Sequence, residues 1–352
     1  MTDLAALPLA EQPPRADRAR PVAVWLLIVA GLIFVMTLIG ALTRLTESGL
    51  SIVEWRPITG ILPPLNLEQW QAEFAKYQQS PEYRLVNRGM SLAQFQGIFW
   101  LEYIHRLLGR FIGLVFALPM AWFMIKRRLP NGVAMHLWAM LALGAAQGLM
   151  GWLMVQSGLV DRPSVSQYRL AAHLGLAIVI YAYIVWVALG LLERRHAVAR
   201  PPAGIVRVFA IYVFAVIVSG AFVAGLDAGA VHNTFPDMSG YLFPPGGWEA
   251  SLGWLNHFEN PTTVQFQHRW LAKLAIVFAF FVWLRVRSAQ RASWSARRVA
   301  DLLLAMALLQ LGLGIATLLL HVPIAIATLH QAGALALLTL ALLLLHRLRT
   351  SG

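Results

Sequence analysis

The stretch LEYIHRLLGR, residues 101–110, sets a carboxylate, an imidazole and two guanidinium groups inside an otherwise apolar run. Glu102 and His105 are three residues apart, so on a helix they share one face. Ionisable groups at membrane depth are costly and usually mark a functional interior. His173, His268 and His330 stand in similar apolar runs. One such histidine is equally well read as a helix–helix hydrogen bond. Four require a common explanation.

The composition defines where that explanation must lie. Of 352 residues, 59% are hydrophobic and 12% charged, with mean hydropathy +0.64; soluble domains carry about 25% charged residues. The chain reads as an integral membrane protein. Its net charge of +12 does not indicate nucleic acid, because the basic residues cluster beside apolar runs as orientation signals do. The absence of cysteine excludes disulfides, thiolate metal sites and cysteine nucleophiles. Residues 1–20 are polar and lack the apolar core of a cleavable signal peptide; they read as a disordered cytoplasmic tail.

About 20 apolar residues span a bilayer as helix, and eight stretches qualify, near 22–42, 99–125, 133–155, 168–192, 205–226, 264–284, 299–320 and 325–345. The expected fold is all-α, a polytopic membrane protein with eight transmembrane helices. Segments predicted on the side of the termini hold 17 Lys and Arg, against 7 on the opposite side, which places both termini in the cytoplasm. Two predicted outer loops are long, 43–98 and 227–263. Such loops either cover a site or simply connect.

An internal repeat organises the helices. HRLLGRFIG at His105 aligns with HRWLAKLAI at His268, and QGLMG at Gln147 with QLGLG at Gln310, both at an offset of 163 residues. AAHLGLA around His173 matches TLHQAGA around His330 at an offset of 157. Two tandem, pseudo-symmetric four-helix bundles are expected, over 21–195 and 205–347.

All four histidines fall on helices predicted to run inward, roughly 9 Å below the outer boundary at 1.5 Å per residue. Two imidazoles on opposite helices of a bundle suit haem iron. Zinc usually takes four protein ligands, and a di-iron site needs two Glu-x-x-His motifs, whereas only one occurs. One haem per bundle is therefore expected. Arg106, Arg169 and Arg269 are candidates for its propionates, with snorkelling to headgroups as the alternative. Gln147 and Gln310 are candidate pocket residues or simple links between helices. Gly109, Gly148, Gly151, Gly175, Gly312, Gly314 and Gly333 could admit a flat ring or simply pack helices, the more usual use of glycine there. The halves differ at one position: Gln265 stands where the first half has Glu102. A buried carboxylate tends towards a raised pKa and can pass protons near neutral pH, so the first half is the candidate for chemistry and the second for a fixed cofactor. Pairing with Arg106 at i,i+4 is the structural alternative for Glu102.

Glu-x-x-His-Arg at 102–106, the four histidines, RLTESGLS after the first span, VEWRPITGILPP and the duplicated eight-helix layout resemble the haem A synthase family. The closest similarity is to its alphaproteobacterial and mitochondrial branch, over essentially residues 20–347. The resemblance implies oxidation of a methyl group of haem O to a formyl group, giving haem A for cytochrome oxidase. It implies that His105 and His173 bind the substrate iron, that His268 and His330 are the axial ligands of a haem B cofactor, and that Glu102 is the essential carboxylate. It further implies a cell inner membrane location with haem sites towards the outer side, haem O synthase and an electron donor as partners, and homo-oligomers. Some bacterial members carry a cysteine pair in the first outer loop; this chain has none. A dihaem b-type electron carrier or quinol oxidoreductase, and a haem transporter, are the competing readings.

Overall fold

A computed structural model describes residues 15–55, 60–159, 164–192, 202–290 and 292–350. In chain order its helices are α1 (Arg15–Leu45), α2 (Leu67–Tyr77), α3 (Pro81–Leu85), α4 (Leu92–Ile125), α5 (Val133–Leu159), α6 (Gln167–Leu192), α7 (Ala203–Gly225), α8 (Asn256–Glu259), α9 (Pro261–Arg287), α10 (Trp294–Leu319) and α11 (Ile324–Thr350). Among the described residues there is no strand, only an isolated bridge between Met238 and Tyr241.

Local chemistry sets the helix starts that matter. Ser91 and Gln94 form a capping box at α4, with Gln94 N donating to Ser91 Oγ (3.3 Å) and Ser91 N to Gln94 Oε1 (2.9 Å). Asn260 caps α9, accepting from Thr262 N and Thr263 N, with Pro261 in the first turn. Each device satisfies amides that the helix itself leaves bare. Helix α1 begins at Arg15, ahead of the expected start near 22. An apolar helix already nucleated propagates cheaply into neighbouring Arg and Ala, so residues 15–20 are helical; residues 1–14 of the expected disordered tail lie outside the described residues.

Seven described helices are long and apolar enough to cross a membrane: α1, α4, α5, α6, α7, α10 and α11. The eighth long helix, α9, has 27 residues but carries Arg269 and Lys273 in its body and Arg285 and Arg287 in its last turn. It is long enough to cross and more polar than the other seven.

Packing closes two rings. Helix α1 meets α4, α4 meets α5, α5 meets α6 and α6 meets α1; in the second half α7, α9, α10 and α11 close in the same order. The halves join through α1 with α11, α6 with α7, and α6 with α11. Exchanging the halves turns the first of these contacts into the second and leaves the third unchanged, as a pseudo-twofold relation requires. The core lies at this junction, where Leu26, Val29, Ile178, Ile184, Phe209, Leu335 and Leu344 are fully buried. Tyr181 Oη and Thr339 Oγ1 share a hydrogen bond of 2.8 Å across it. On the outside, Leu118, Ile125, Met135 and Val277 are exposed, as side chains facing lipid are.

Candidate functional site

Each histidine is backed by a glycine on the neighbouring helix. A Cβ on Gly151 of α5 would lie 3.1 Å from His173 Cε1, one on Gly220 of α7 3.2 Å from His268 Cε1, and one on Gly314 of α10 2.9 Å from His330 Cε1. A Cβ on Gly40 of α1 would lie 3.3 Å from His105, but here the nearest atom is Nε2. Of the seven glycines that the sequence offers for this role, Gly151 and Gly314 meet a histidine and the other five do not, while Gly40 and Gly220 were missed. The signal existed: an offset of 180 carries Gly40–Ala41 onto Gly220–Ala221.

The rings of the second pair are neighbours, set edge-on to one another. The His268 and His330 rings have centroids 6.5 Å apart and planes at 87°. A ring nitrogen lies about 2 Å from a bound metal, which separates two imidazole centroids on one iron by roughly 6 Å. Ser219 Oγ donates to the Val216 carbonyl (2.8 Å) and lies 2.8 Å from His268 Nδ1. A hydroxyl has one proton; with that proton given to Val216, Nδ1 is the donor and Nε2 carries the lone pair a metal needs. Ser219 is a further residue the sequence reading missed. Gln310 Nε2 donates to the His330 carbonyl (2.8 Å) and lies 3.1 Å from His330 Nδ1. Gln147 makes a similar approach, donating to the His173 carbonyl (3.1 Å) and lying 3.2 Å from His173 Nδ1 and 3.4 Å from its Nε2. A Cβ on Gly333 would fall 2.2 Å from Gln310 Oε1, so that glycine makes room for the glutamine.

Glu102 is buried and fully engaged. Its Oε2 accepts from Ser51 Oγ (2.7 Å) and Ile52 N (2.8 Å), and its Oε1 from Arg106 Nε (3.0 Å) and Nη2 (2.6 Å). Arg106 also donates to the Ile52 and Glu54 carbonyls at 2.8 and 3.1 Å, and its guanidinium lies over Trp55. The pair thus fastens residues 51–55 of the first long loop over α4. Arg106 therefore spends its donors on the loop and on Glu102, not on an open pocket. Gln265 and Arg269 do the corresponding work in the second half. Gln265 Nε2 donates to the His232 carbonyl (3.0 Å), and Arg269 Nη2 to the Thr234 and Asp237 carbonyls (2.8 and 2.6 Å). Arg269 Nη1 is buried without a hydrogen-bond partner. Arg169 turns to the Leu153 carbonyl of α5.

Around these clamps the loops are built differently. In the first, Trp70 and Tyr77 of α2 pack on Phe95, Phe99 and Tyr103 of α4 as one aromatic core. Beneath it Tyr77 Oη donates to Glu82 Oε2 (3.1 Å) and accepts from Asn87 Nδ2 (2.8 Å). Burial pushes the Glu82 carboxyl up to about 8, against the hydrogen bond from Tyr77, and burial also raises the Tyr77 phenol. In the second loop, amides predominate: Asn256 Nδ2 donates to the Glu249 and Gly253 carbonyls, and Asn260 Nδ2 to Gly246. Thr263 Oγ1 adds a bond to the Gly247 carbonyl. At this end Arg44, closing α1, makes two 2.8 Å bonds to Asp227, just past α7.

Among the described residues no group of three or more His, Cys, Asp or Glu could hold a metal ion. The donor set is two imidazoles per half, which fits a macrocycle that supplies its own equatorial nitrogens. The buried, unpartnered Gln147 Oε1, Gln310 Oε1 and Arg269 Nη1, and the glycines behind the rings, are compatible with such a group.

Fold and site together define a duplicated, all-helical membrane protein with repeat-related imidazole pairs in its interior. The chain matches the COX15-CtaA family, described as cytochrome oxidase assembly protein, over residues 23–342, and it belongs to that family. It is 50% identical to a protein named "Heme A synthase" from Rhodospirillum centenum, over 99% of this chain and 94% of that one. It is 47% identical to the protein of that name from Nitrosomonas eutropha, over 92% of each chain. The Paramagnetospirillum magneticum protein of the same name is 49% identical over 94% of each chain.

Proposed function

We propose that this protein is a haem A synthase, oxidising a methyl group of haem O to the formyl group of haem A. The observation that carries the reading is the repeat-related pair of imidazole sites with a carboxylate beside only one of them, in a chain 44–50% identical to proteins of that name. Two successive two-electron oxidations at one carbon, each releasing its electrons to an external acceptor and adding a hydroxyl group from water with loss of protons, give a geminal diol, which loses water to leave the aldehyde.

The roles divide between the halves. His105 and His173 take the iron of haem O. His268 and His330 hold a resident haem B, which would supply a one-electron redox centre. Ser219 and Gln310 fix the rings of the second pair, and Arg269 Nη1 offers a donor to a propionate. Glu102 places a negative charge one turn from His105. All four of its hydrogen bonds are occupied, so a proton-carrying role requires a donor to move. Stabilising positive charge that develops on the oxidised carbon requires none, and we assign it that role.

The Lys and Arg distribution supports eight crossings of the cell inner membrane, α9 included, with both termini cytoplasmic and the long loops outside. Extracting the haems from purified protein and separating them chromatographically tests the function. Haem B together with haem O or haem A is expected. Two equivalents of haem B alone would support a dihaem electron carrier instead.

A further inference from the structure

Three of the four histidines have a side chain within hydrogen-bond distance of Nδ1: Gln147 at His173, Ser219 at His268 and Gln310 at His330. His105 has none among the described residues. The position that matches Ser219 at the offset of 180 is Ile39, which has no polar group to offer. The ring is also turned differently. His105 meets its glycine through Nε2 and Cδ2, whereas the other three meet theirs through Cε1. Absence of a partner and an altered ring setting are separate observations, and they fall on the same residue.

A side chain on the distal nitrogen holds the orientation of a ligating imidazole, and where it accepts the ring N–H, as Ser219 does at His268, it also fixes the tautomer and raises basicity. Gln147 and Gln310 approach through Nε2 and hold orientation only. Without such a side chain, the imidazole is free to rotate about its own side-chain bonds. We propose that His105 is the labile ligand of the substrate site: it swings off the iron while His173 keeps hold, and the missing Nδ1 partner is what permits this. The proposal rests on the assignment of His105 and His173 to haem O. It gives the pair a division of labour, with His173 as the anchor and His105 as the gate to the sixth position. In the second half, where both rings are fastened, the same position stays closed.

Carbon monoxide is the probe, because it binds a reduced six-coordinate haem only when a protein ligand leaves. In reduced protein carrying both haems, CO should bind one haem, identified as haem O by its difference spectrum. Ile39→Ser puts on α1 the hydroxyl that Ser219 puts on α7, a partner for His105 Nδ1 once the ring turns to the setting of His268. It should slow CO binding roughly tenfold, the lower end of the usual loss or gain when a ligand's hydrogen-bond partner is changed. Ser219→Ala should make the haem B site reactive to CO. His105→Ala should retain haem O in five-coordinate form on His173, whereas His173→Ala should lose it. An unchanged CO rate in Ile39→Ser protein that still holds both haems would overturn the proposal and leave the function standing. Unaltered haem O content and spectrum in both His105→Ala and His173→Ala would overturn the function as well.

Discussion

The tops of α4 and α9 solve one mechanical problem with different chemistry. In both, a residue three before the histidine and an arginine directly after it fasten a long loop across the helix. On α4 the fastener is an ion pair, Glu102 with Arg106, bonded to residues 51–54. On α9 it is a neutral amide, Gln265, with an arginine that keeps one nitrogen unpartnered. A buried ion pair is poor evidence for stability, since hydrophobic or neutral replacements often do as well. Gln265 shows that a neutral residue can do the tethering in this fold. The charge at Glu102 is therefore not required for holding the loop, which is the argument that it serves chemistry.

The strongest way to break this comparison is to remove an imidazole from each half. His268→Ala should abolish the low-spin b-type spectrum of the resident haem while leaving a folded protein. His173→Ala should remove haem O and leave that spectrum intact. Full retention of the b-type haem in His268→Ala would show that the halves are not divided as proposed.

Next in size is Glu102. Glu102→Ala should leave the second-half haem in place and lower conversion of haem O to haem A by about 10²–10³-fold, the usual loss when an electrostatic stabiliser is removed. Chromatography of bound haems would then show haem O or a hydroxylated product. Glu102→Gln copies the second half: it should keep the loop fastened, as judged by hydrogen exchange at residues 51–54, and still fail in conversion. Near wild-type haem A production in Glu102→Gln would make the residue a tether like Gln265.

Much of this was legible in the sequence, for physical reasons. The histidines, Gln147 and Gln310 are rare types in apolar runs, and the offset of 163 pairs them without any knowledge of packing. What a side chain touches across a helix interface depends on the rotation of both helices, and one sequence does not contain that angle. Hence Gly40, Gly220 and Ser219 went unnoticed, although the repeat marks Gly40 and Gly220. The arginines were found by position but not by partner. Arg106 was expected to meet a propionate, and the structure gives its donors to loop carbonyls, because the long first loop folds back over the helix. That return is written in the aromatic positions Trp70, Tyr77, Phe95 and Phe99, whose meeting no spacing rule predicts.

The first loop should also be the pH-sensitive one. Glu82 is buried with its carboxyl raised from the usual carboxylate range to about 8, with Tyr77, Glu102, Glu47 and Arg44 as the groups acting on it. A raised carboxyl pKa means the folded loop holds a proton that the opened loop releases. Its stabilisation is present at low pH and declines as pH rises from about 4.5 to about 8, by up to about 1.4 kcal/mol per unit. Hydrogen exchange at residues 70–87 should accelerate over that window and flatten in Glu82→Gln. The second loop should show no such decline; there burial and Arg269 hold His232 below the usual histidine range, so its contribution is lost instead as pH falls.

The smallest effect tests how firmly the halves are joined at the loop end. Arg44 and Asp227 are the ion pair there that crosses from one half to the other, with two bonds of 2.8 Å. The two side chains differ in exposure, 19% for Arg44 and 68% for Asp227. Exposed pairs are worth about 0.2–1 kcal/mol, and one nitrogen, Nη2, shared between both carboxylate oxygens is not the two-nitrogen fork that favours the upper end. The junction between halves is otherwise apolar, centred on α1, α6, α7 and α11, and does not depend on this pair. A double-mutant cycle with Arg44→Met and Asp227→Asn should therefore return a coupling of no more than about 1 kcal/mol in thermal stability, shrinking as salt is added. Haem content should not change in either variant. A coupling of several kcal/mol, or loss of a haem, would mean that the halves are held in register by this contact and that the sites are not independent. The comparison between the two would then have to be made on the joined dyad instead of half against half.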